Sequence, residues 1–357
     1  MASKLKPIFV LSCFSFNQIS PMITSFYRLF LAVFVGLSAV SGAAAQQYEF
    51  IKKISIPTGD GKWDYLKMDG ERERLFVSHA DRIHVVDLKT DQPIGEITGL
   101  KGVHGIALAK ELAKGYISNG TDSSVTVFDY NTFKVLKTIK VNGKKADAIF
   151  FDKFSGRVFV FCNGSGNAVA IDAKTDAVVG NVAMGGAPEF MVSNDKGLIY
   201  NNNEETQEIV AFDANTLEIK HRFSLLPNEV PTGLAFDTAT NRLFSACRKS
   251  KTLVVMDAAT GKIVQTLPIG GGVDGAIFDK DAKIIATSNG EGNVTIIKQA
   301  APDSYSVVQT LTTRPGQKTI VHRGTTHHLF LSGADFLEDG KTPAPQSFGV
   351  YVYGPKK

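Results

Sequence analysis

A strand that ends in two apolar residues and an aspartate returns about every 42 residues along this chain. It reads Val85-Val86-Asp87, Val127-Phe128-Asp129, Ala170-Ile171-Asp172, Ala211-Phe212-Asp213 and Val255-Met256-Asp257, at steps of 42, 43, 41 and 44 residues. A period of that length, built from short strands, is the period of a propeller blade. The unit is clearest from Lys145 to Val182. The runs Ala146–Phe151, Arg157–Cys162, Ala168–Asp172 and Val178–Val182 are β-branched and aromatic, and Asp, Asn, Gly and Ser separate them. Those separators supply the backbone angles that tight turns need. One such unit alone would leave two apolar faces wet, so neighbours must stack around an axis.

First strands begin near Asp64, His104, Asp147, Glu189, Thr232, Asp274 and Lys318, which makes seven blades. The last unit finishes at Phe348–Val352, near the end of the chain, and lacks a fourth strand. The segment Phe50-Ile51-Lys52-Lys53-Ile54-Ser55-Ile56 resembles the outer strand Val135–Val141 and is expected to supply it. That pairing closes the ring and removes an exposed edge. The expected fold is therefore all-β: a seven-bladed β-propeller of four-stranded antiparallel blades over residues 46–357, closed by the N-terminal strand.

The stretches Leu198-Ile199-Tyr200-Asn201-Asn202 leading to Asp213, and Val254–Asp257 followed by Ala-Ala-Thr260-Gly261-Lys262, resemble the YVTN-repeat (YncE-like) family of seven-bladed propellers. Tyr116-Ile-Ser-Asn119 is the closest match to the repeat signature itself. The resemblance implies the fold and implies export, since many members are exported proteins without an assigned reaction. Trp63-Asp64 is not a WD-repeat signature, because it opens a first strand instead of ending a third.

Ala32 to Val40 is mostly apolar, preceded by Arg28 and followed by Ser41-Gly-Ala-Ala-Ala45. This is the layout of a secretory signal, so residues 1–45 are expected to be cleaved and the product to be periplasmic or secreted, with no span left behind. Residues 1–21 fit a signal poorly, and Met22 is the expected start; Cys13 lacks the flanking residues of a lipobox. The formal net charge of +4 for the whole chain offers no strongly basic face for nucleic acid. Cys162 and Cys247 hold equivalent positions in non-adjacent units, where a disulfide is not expected. No Cys-x-x-Cys-His occurs, which excludes covalent haem, and a single Trp argues against a pyrroloquinoline-quinone propeller.

In an antiparallel blade the start of the first strand and the end of the second share one end. That end is expected to gather Asp64, His104, Asp147, Glu189, Asp274 and Lys318, with His79, Asn119, Asn163, Asn202, Arg248, Asn289 and Asp335 behind them. The ordinary reading of the Asn-Gly pairs is turn chemistry. For the acids, crowding around one axis raises their pKa values unless a cation compensates. Arg248, Lys318 or a bound metal would do so, and Glu189, Asp147 and Asp274 are the candidate ligands for Ca²⁺ or Mg²⁺. Gluconolactonase-type and paraoxonase-type propellers, similar in residue type here, hold a metal at this end. Trp63 and Phe190 are placed to stack on a sugar or aromatic ligand, or else simply to pack between blades. The segment 335–346 is long enough to cap the channel or to be a loose insertion.

Other motifs carry less. His327-His328 falls at a turn on the opposite end, and Gly340-Lys341-Thr342 resembles a phosphate loop without its glycine spacing or helix. No catalytic signature is complete. The expected role is binding a small molecule or an envelope protein through Asp64, His79, His104, Asp147, Glu189, Arg248 and Asp274, by a monomer. The alternative is a metal-dependent lactonase or hydrolase with His79 or His104 moving the proton.

Overall fold

The computed structural model describes residues 47–56, 61–340 and 342–356. They form seven four-stranded antiparallel sheets, with one short 3₁₀ turn at Lys110–Leu112. The expectations placed on residues 1–45 (the signal region, Met22 and Cys13) lie outside the described residues. No helix among the described residues is long and apolar enough to cross a membrane.

The first strands are Trp63–Asp69, Val103–Ala109, Ala146–Asp152, Pro188–Ser193, Pro231–Asp237 and Val273–Asp279 in blades 1 to 6, and Val321–Arg323 in blade 7. Blades 1 to 6 each pair their four strands in chain order. In blade 7 the outermost strand is the N-terminal one, Tyr48–Ser55, antiparallel to Gly349–Pro355. The closure expected from the resemblance between the two outer-strand sequences is thus present.

The recurring aspartate has a structural cause. Asp172 Oδ1 accepts the backbone N–H of Lys174 at 3.0 Å and of Thr175 at 2.8 Å, and the Thr175 hydroxyl at 3.0 Å. Asp87, Asp129, Asp213 and Asp257 accept the amides two and three residues on in the same way. Each closes the turn from third to fourth strand with a side-chain acceptor. The residue four positions after each Asp then takes a left-handed conformation: Asp91, Phe133, Asp176, Leu217 and Gly261, with φ of 59, 63, 59, 64 and 72°. The sequence period is the period of this turn.

Each apolar cluster joins two consecutive blades. Blades 2 and 3 meet through Tyr116, Val127, Val158 and Val160, and blades 7 and 1 through Ile54, Leu75, Val77, Phe330 and Val350. A fully buried apolar side chain contributes roughly 1.5–3 kcal/mol, so the ring is held between blades more than within any turn. Cys162 and Cys247 are buried and unpaired, and burial pushes their thiols up to about 11 and about 12.

Near the axis the inner strands come so close that side chains are excluded. A Cβ on Gly233 would lie 2.8 Å from the Ala276 nitrogen, and one on Gly275 would lie 3.1 Å from the Ile320 nitrogen. The second strands tether the next blade across this gap. Asn202 donates to the carbonyls of Thr232 and Gly233 at 3.2 and 2.9 Å. Ser288 donates to the Lys318 carbonyl at 2.5 Å, and Ser118 donates to that of Asp147.

Candidate functional site

Six blades break register at the same place. The first residue of each first strand pairs with the last of the second, as in Trp63–His79, Val103–Asn119 and Ala146–Cys162. The ladder then shifts between Trp63 and Leu66, Val103 and Ile106, Ala146 and Ile149, Pro188 and Met191, Pro231 and Gly233, and Val273 and Gly275. A bulge re-aims the side chain it releases. The released residues include Asp64, His104, Asp147, Glu189, Thr232 and Asp274. Asp64, His104, Asp147, Glu189 and Asp274, expected from the sequence, therefore share one structural position, whereas Lys318 precedes the short first strand of blade 7, whose ladder has no such shift.

Two linked groups form around the mouth. In the first, His104 Nδ1 lies 2.7 Å from Asp64 Oδ2 and 3.5 Å from Asp147 Oδ1, and Lys145 Nζ reaches Asp147 Oδ2 at 3.5 Å. Burial alone would lower the pKa of His104. The Asp64 hydrogen bond and the two carboxylate charges outweigh it and hold the imidazole above its ordinary value. Asp147 is pushed up by burial and by Asp64, against the pull of His104. Gly120 makes room for the ring, since a Cβ there would stand 2.6 Å from His104 Nε2.

In the second group Asp274 is clasped by Arg248 and by Lys318, whose Nζ is 2.6 Å away. Arg248 also reaches Glu204 Oε1 at 3.3 Å, and the Thr232 hydroxyl donates to the same oxygen at 2.7 Å. Glu189 accepts from Asn163 Nδ2 at 2.8 Å, and burial with the charges of Asp147, Glu204 and Asp274 lifts its pKa well above the carboxylate range. Below these charges Tyr65 and Phe190 pack against each other across the channel, ring centroids 4.9 Å apart and planes tilted by 32°. Burial first, then the acids around it, drives the Tyr65 phenol upward. Phe190 thus packs inside the channel instead of offering an open platform.

The second-strand residues divide. Asn163 and Arg248 reach the mouth. His79 is 2 % exposed and stacks on Phe348 at 4.2 Å in the interface of blades 1 and 7. Burial, with the His84 and Arg82 charges, lowers its pKa to about 4. Asn119 and Asn289 are buried and donate to hydroxyls of their own third strands, and Asn202 ties blade 5. The residue after the paired strand end is Ala80, Gly120, Asn163, Glu204, Arg248, Gly290 and Ala334 in the seven blades, and of these Asn163, Glu204 and Arg248 join the charged groups of the mouth. Counting from that pair would have found Glu204. Lys145 and Tyr65 carried no signal, because neither repeats.

A cavity of about 810 Å³ opens on the side of blades 7, 1 and 2. Trp63, Phe336 and Pro343 line it together with Asp64, His104 and Lys318. Residues 335–340 and 342–346 fold back here through a Phe336–Pro343 bridge, and Phe336 and Pro343 become a wall of the cavity. Asp335 anchors its base to Lys53 at 3.1 Å. Trp63 packs 5.8 Å from Phe348 and 6.4 Å from Phe336, and its indole N–H donates to the Gly316 carbonyl at 3.1 Å.

Among the described residues, the donors close enough to one another to hold one cation belong to Asp64, His104 and Asp147, all within 4.8 Å. Of the expected ligands only Asp147 falls in this group. Asp274 already has two cationic partners, and Glu189 takes an amide.

The fold and this mouth define a seven-bladed β-propeller with a polar, charge-paired ring at one end of its channel. The family described as a domain of unknown function, DUF5074, matches residues 72–268, more than half of the chain, and the chain belongs to that family. The match runs from the second strand of blade 1 to the end of blade 5. It includes His104, Asp147, Glu189 and Arg248 but not Asp64, Asp274 or Trp63. No curated protein matches the chain.

Proposed function

We propose that the protein binds a small, hydroxyl-rich ring compound, a sugar or sugar-like polyol, in the mouth cavity. The observation that carries this reading is the 810 Å³ space in which Trp63 and Phe336 stand beside Asp64, His104 and Lys318. Its volume lies within the range of small-molecule sites. The charges around it are already paired with one another, so the ligand needs no net charge. Hydroxyls both donate and accept, which suits alternating carboxylates and cations. The apolar face of such a ring suits an indole. The YVTN-like repeats and the signal-like pattern of residues 28–45 support an exported, monomeric binding protein.

The test is calorimetric titration with a panel of mono- and disaccharides. One class should bind saturably at one site and raise the melting temperature, indifferent to chelator, and Lys318→Met should weaken it at least tenfold. Failure of every sugar to bind sinks this reading.

The second reading, a metal-dependent lactonase or related hydrolase, draws on the Asp64, His104 and Asp147 group. An imidazole in the set suits Zn²⁺ or Mn²⁺ better than Ca²⁺ or Mg²⁺. A cation there would polarise an ester carbonyl, and Glu189 would be the group to move a proton. Stabilisation by one cation, lost in Asp147→Asn, would favour it; no shift with any cation would remove it.

A further inference from the structure

Beyond Tyr65 and Phe190 the channel continues as a second cavity of about 450 Å³, and its walls are of a different kind. Ile149, Phe150, Leu234, Phe236, Ile277 and Ile320 line it from blades 3, 5, 6 and 7. Into this lining the first strand of blade 1 places Lys67, which is itself half-buried. Tyr65 and Lys67 alternate on one side of that strand, while Leu66 and Met68 turn into the interface with blade 7.

Among the described residues the Lys67 side chain makes no hydrogen bond or ion pair, while its backbone pairs with Phe76 in the sheet. The contrast with its neighbours is informative. Lys110, the charge that acts on it, is held by Asp69 at 2.8 Å and Glu71 at 3.3 Å. Lys114 is held by Asp176 at 2.9 Å. The carboxylate among the cavity residues, Asp195, sits exposed at the rim and forms no ion pair with Lys67. Burial and the Lys110 charge both lower the Lys67 pKa, and no acid opposes them. An ammonium in apolar surroundings is costly unless an anion meets it. The other features of a ligand pocket are present: a mostly apolar wall, a suitable volume and a few polar groups, Ser193, Asp195 and Thr238 beside Lys67.

We propose that this lower cavity is a binding site for a small organic monoanion, a carboxylate on an aliphatic body, whose head group pairs with Lys67 and whose body lies against Phe150, Leu234, Phe236 and Ile277. It is separate from the mouth in position and opposite in character. The mouth offers balanced charges beside an indole, whereas this cavity offers one unpaired ammonium in a mostly apolar wall, with its carboxylate, Asp195, exposed at the rim. The single charge sets the sign of the ligand, and the wall demands an apolar body.

Octanoate, octanol and octylammonium share a chain and differ in head group, so titrating the full protein with each separates charge from burial. Octanoate should bind at one site per chain and at least tenfold more tightly than octanol, with octylammonium weakest. Its addition should shift the NMR signals of the Lys67 ε-methylene in the unmodified protein, a readout independent of any variant. Lys67→Met, checked for an intact thermal transition, should reduce octanoate to the octanol level. Equal binding of octanoate and octanol, a stoichiometry above one, or octanoate binding unchanged in Lys67→Met would each overturn the proposal.

Discussion

Replacing Asp64 by Asn tests the electrostatic account of the mouth most directly. The change keeps the shape and one acceptor oxygen but removes the charge opposite His104 Nδ1, 2.7 Å away. A hydrogen bond to a charged partner contributes about 1.5–3 kcal/mol, and a neutral one about 0.5–1.5. The expected loss is therefore about 1–1.5 kcal/mol while the imidazole is protonated. The folded-state pKa of His104 is raised, so its stabilising contribution is full below the unfolded value near 6.5 and is lost as pH rises through the folded value. Urea unfolding of both proteins should show the deficit at pH 5.5 and watch it shrink toward pH 8. Above the folded pKa it should vanish or reverse, because Asp64 then repels Asp147, whose carboxyl it already pushes upward. In parallel, the NMR titration of His104 should move to lower pH in the variant. A stability difference that stays constant from pH 5.5 to 8, or an unmoved titration, would mean that the Asp64 charge does not hold the His104 proton.

Glu189 should behave in the opposite sense. Its folded pKa is raised by burial and by three acids, so its charge costs stability at neutral pH and the cost disappears as pH falls toward the unfolded value. Glu189→Gln, which keeps the acceptor for Asn163, should stabilise the protein by about 1 kcal/mol at pH 7 and by nothing near pH 4, measured by thermal unfolding. At the edge of blade 3, Asp172→Ala should cost about 1–2 kcal/mol at pH 7 through loss of its turn acceptor, with Asp172→Asn costing less. The backbone and hydroxyl of Thr175 depress the Asp172 pKa, so the charge-dependent part of that loss should fade as pH drops through the folded value. Chemical denaturation at pH 7 and pH 3 checks both.

Much of the fold was legible because it repeats. A turn that needs an acceptor at one position and a left-handed residue four places later writes Asp into the chain at a fixed interval, whatever the neighbouring blades do. The closing strand was legible for the same reason, since Phe50–Ile56 carries the outer-strand pattern found at Val135–Val141. The first-strand ring was readable by phase: one position, released by one recurring bulge, holds Asp64, His104, Asp147, Glu189 and Asp274. The second-strand ring was not, because an error of one or two residues in phase exchanges a mouth residue for a buried one. His79, Asn119, Asn202 and Asn289 fell on the buried side of that line, and Glu204 on the open side.

The sequence by itself determined the blade, the number of blades and the way the ring closes, since these follow from local turn chemistry and from apolar faces that need partners. It also placed carboxylates and cations at one end of the channel. Which of them meet was decided only by tertiary structure. Asp64 and His104 are 40 residues apart, and Arg248 is joined to Glu204 and Asp274 across three blades. Charge pairing, the contact of Tyr65 with Phe190, and the lack of a partner for the Lys67 side chain all depend on distances across the axis. No repeat along the chain encodes those distances, because each blade contributes a different side chain to the same position.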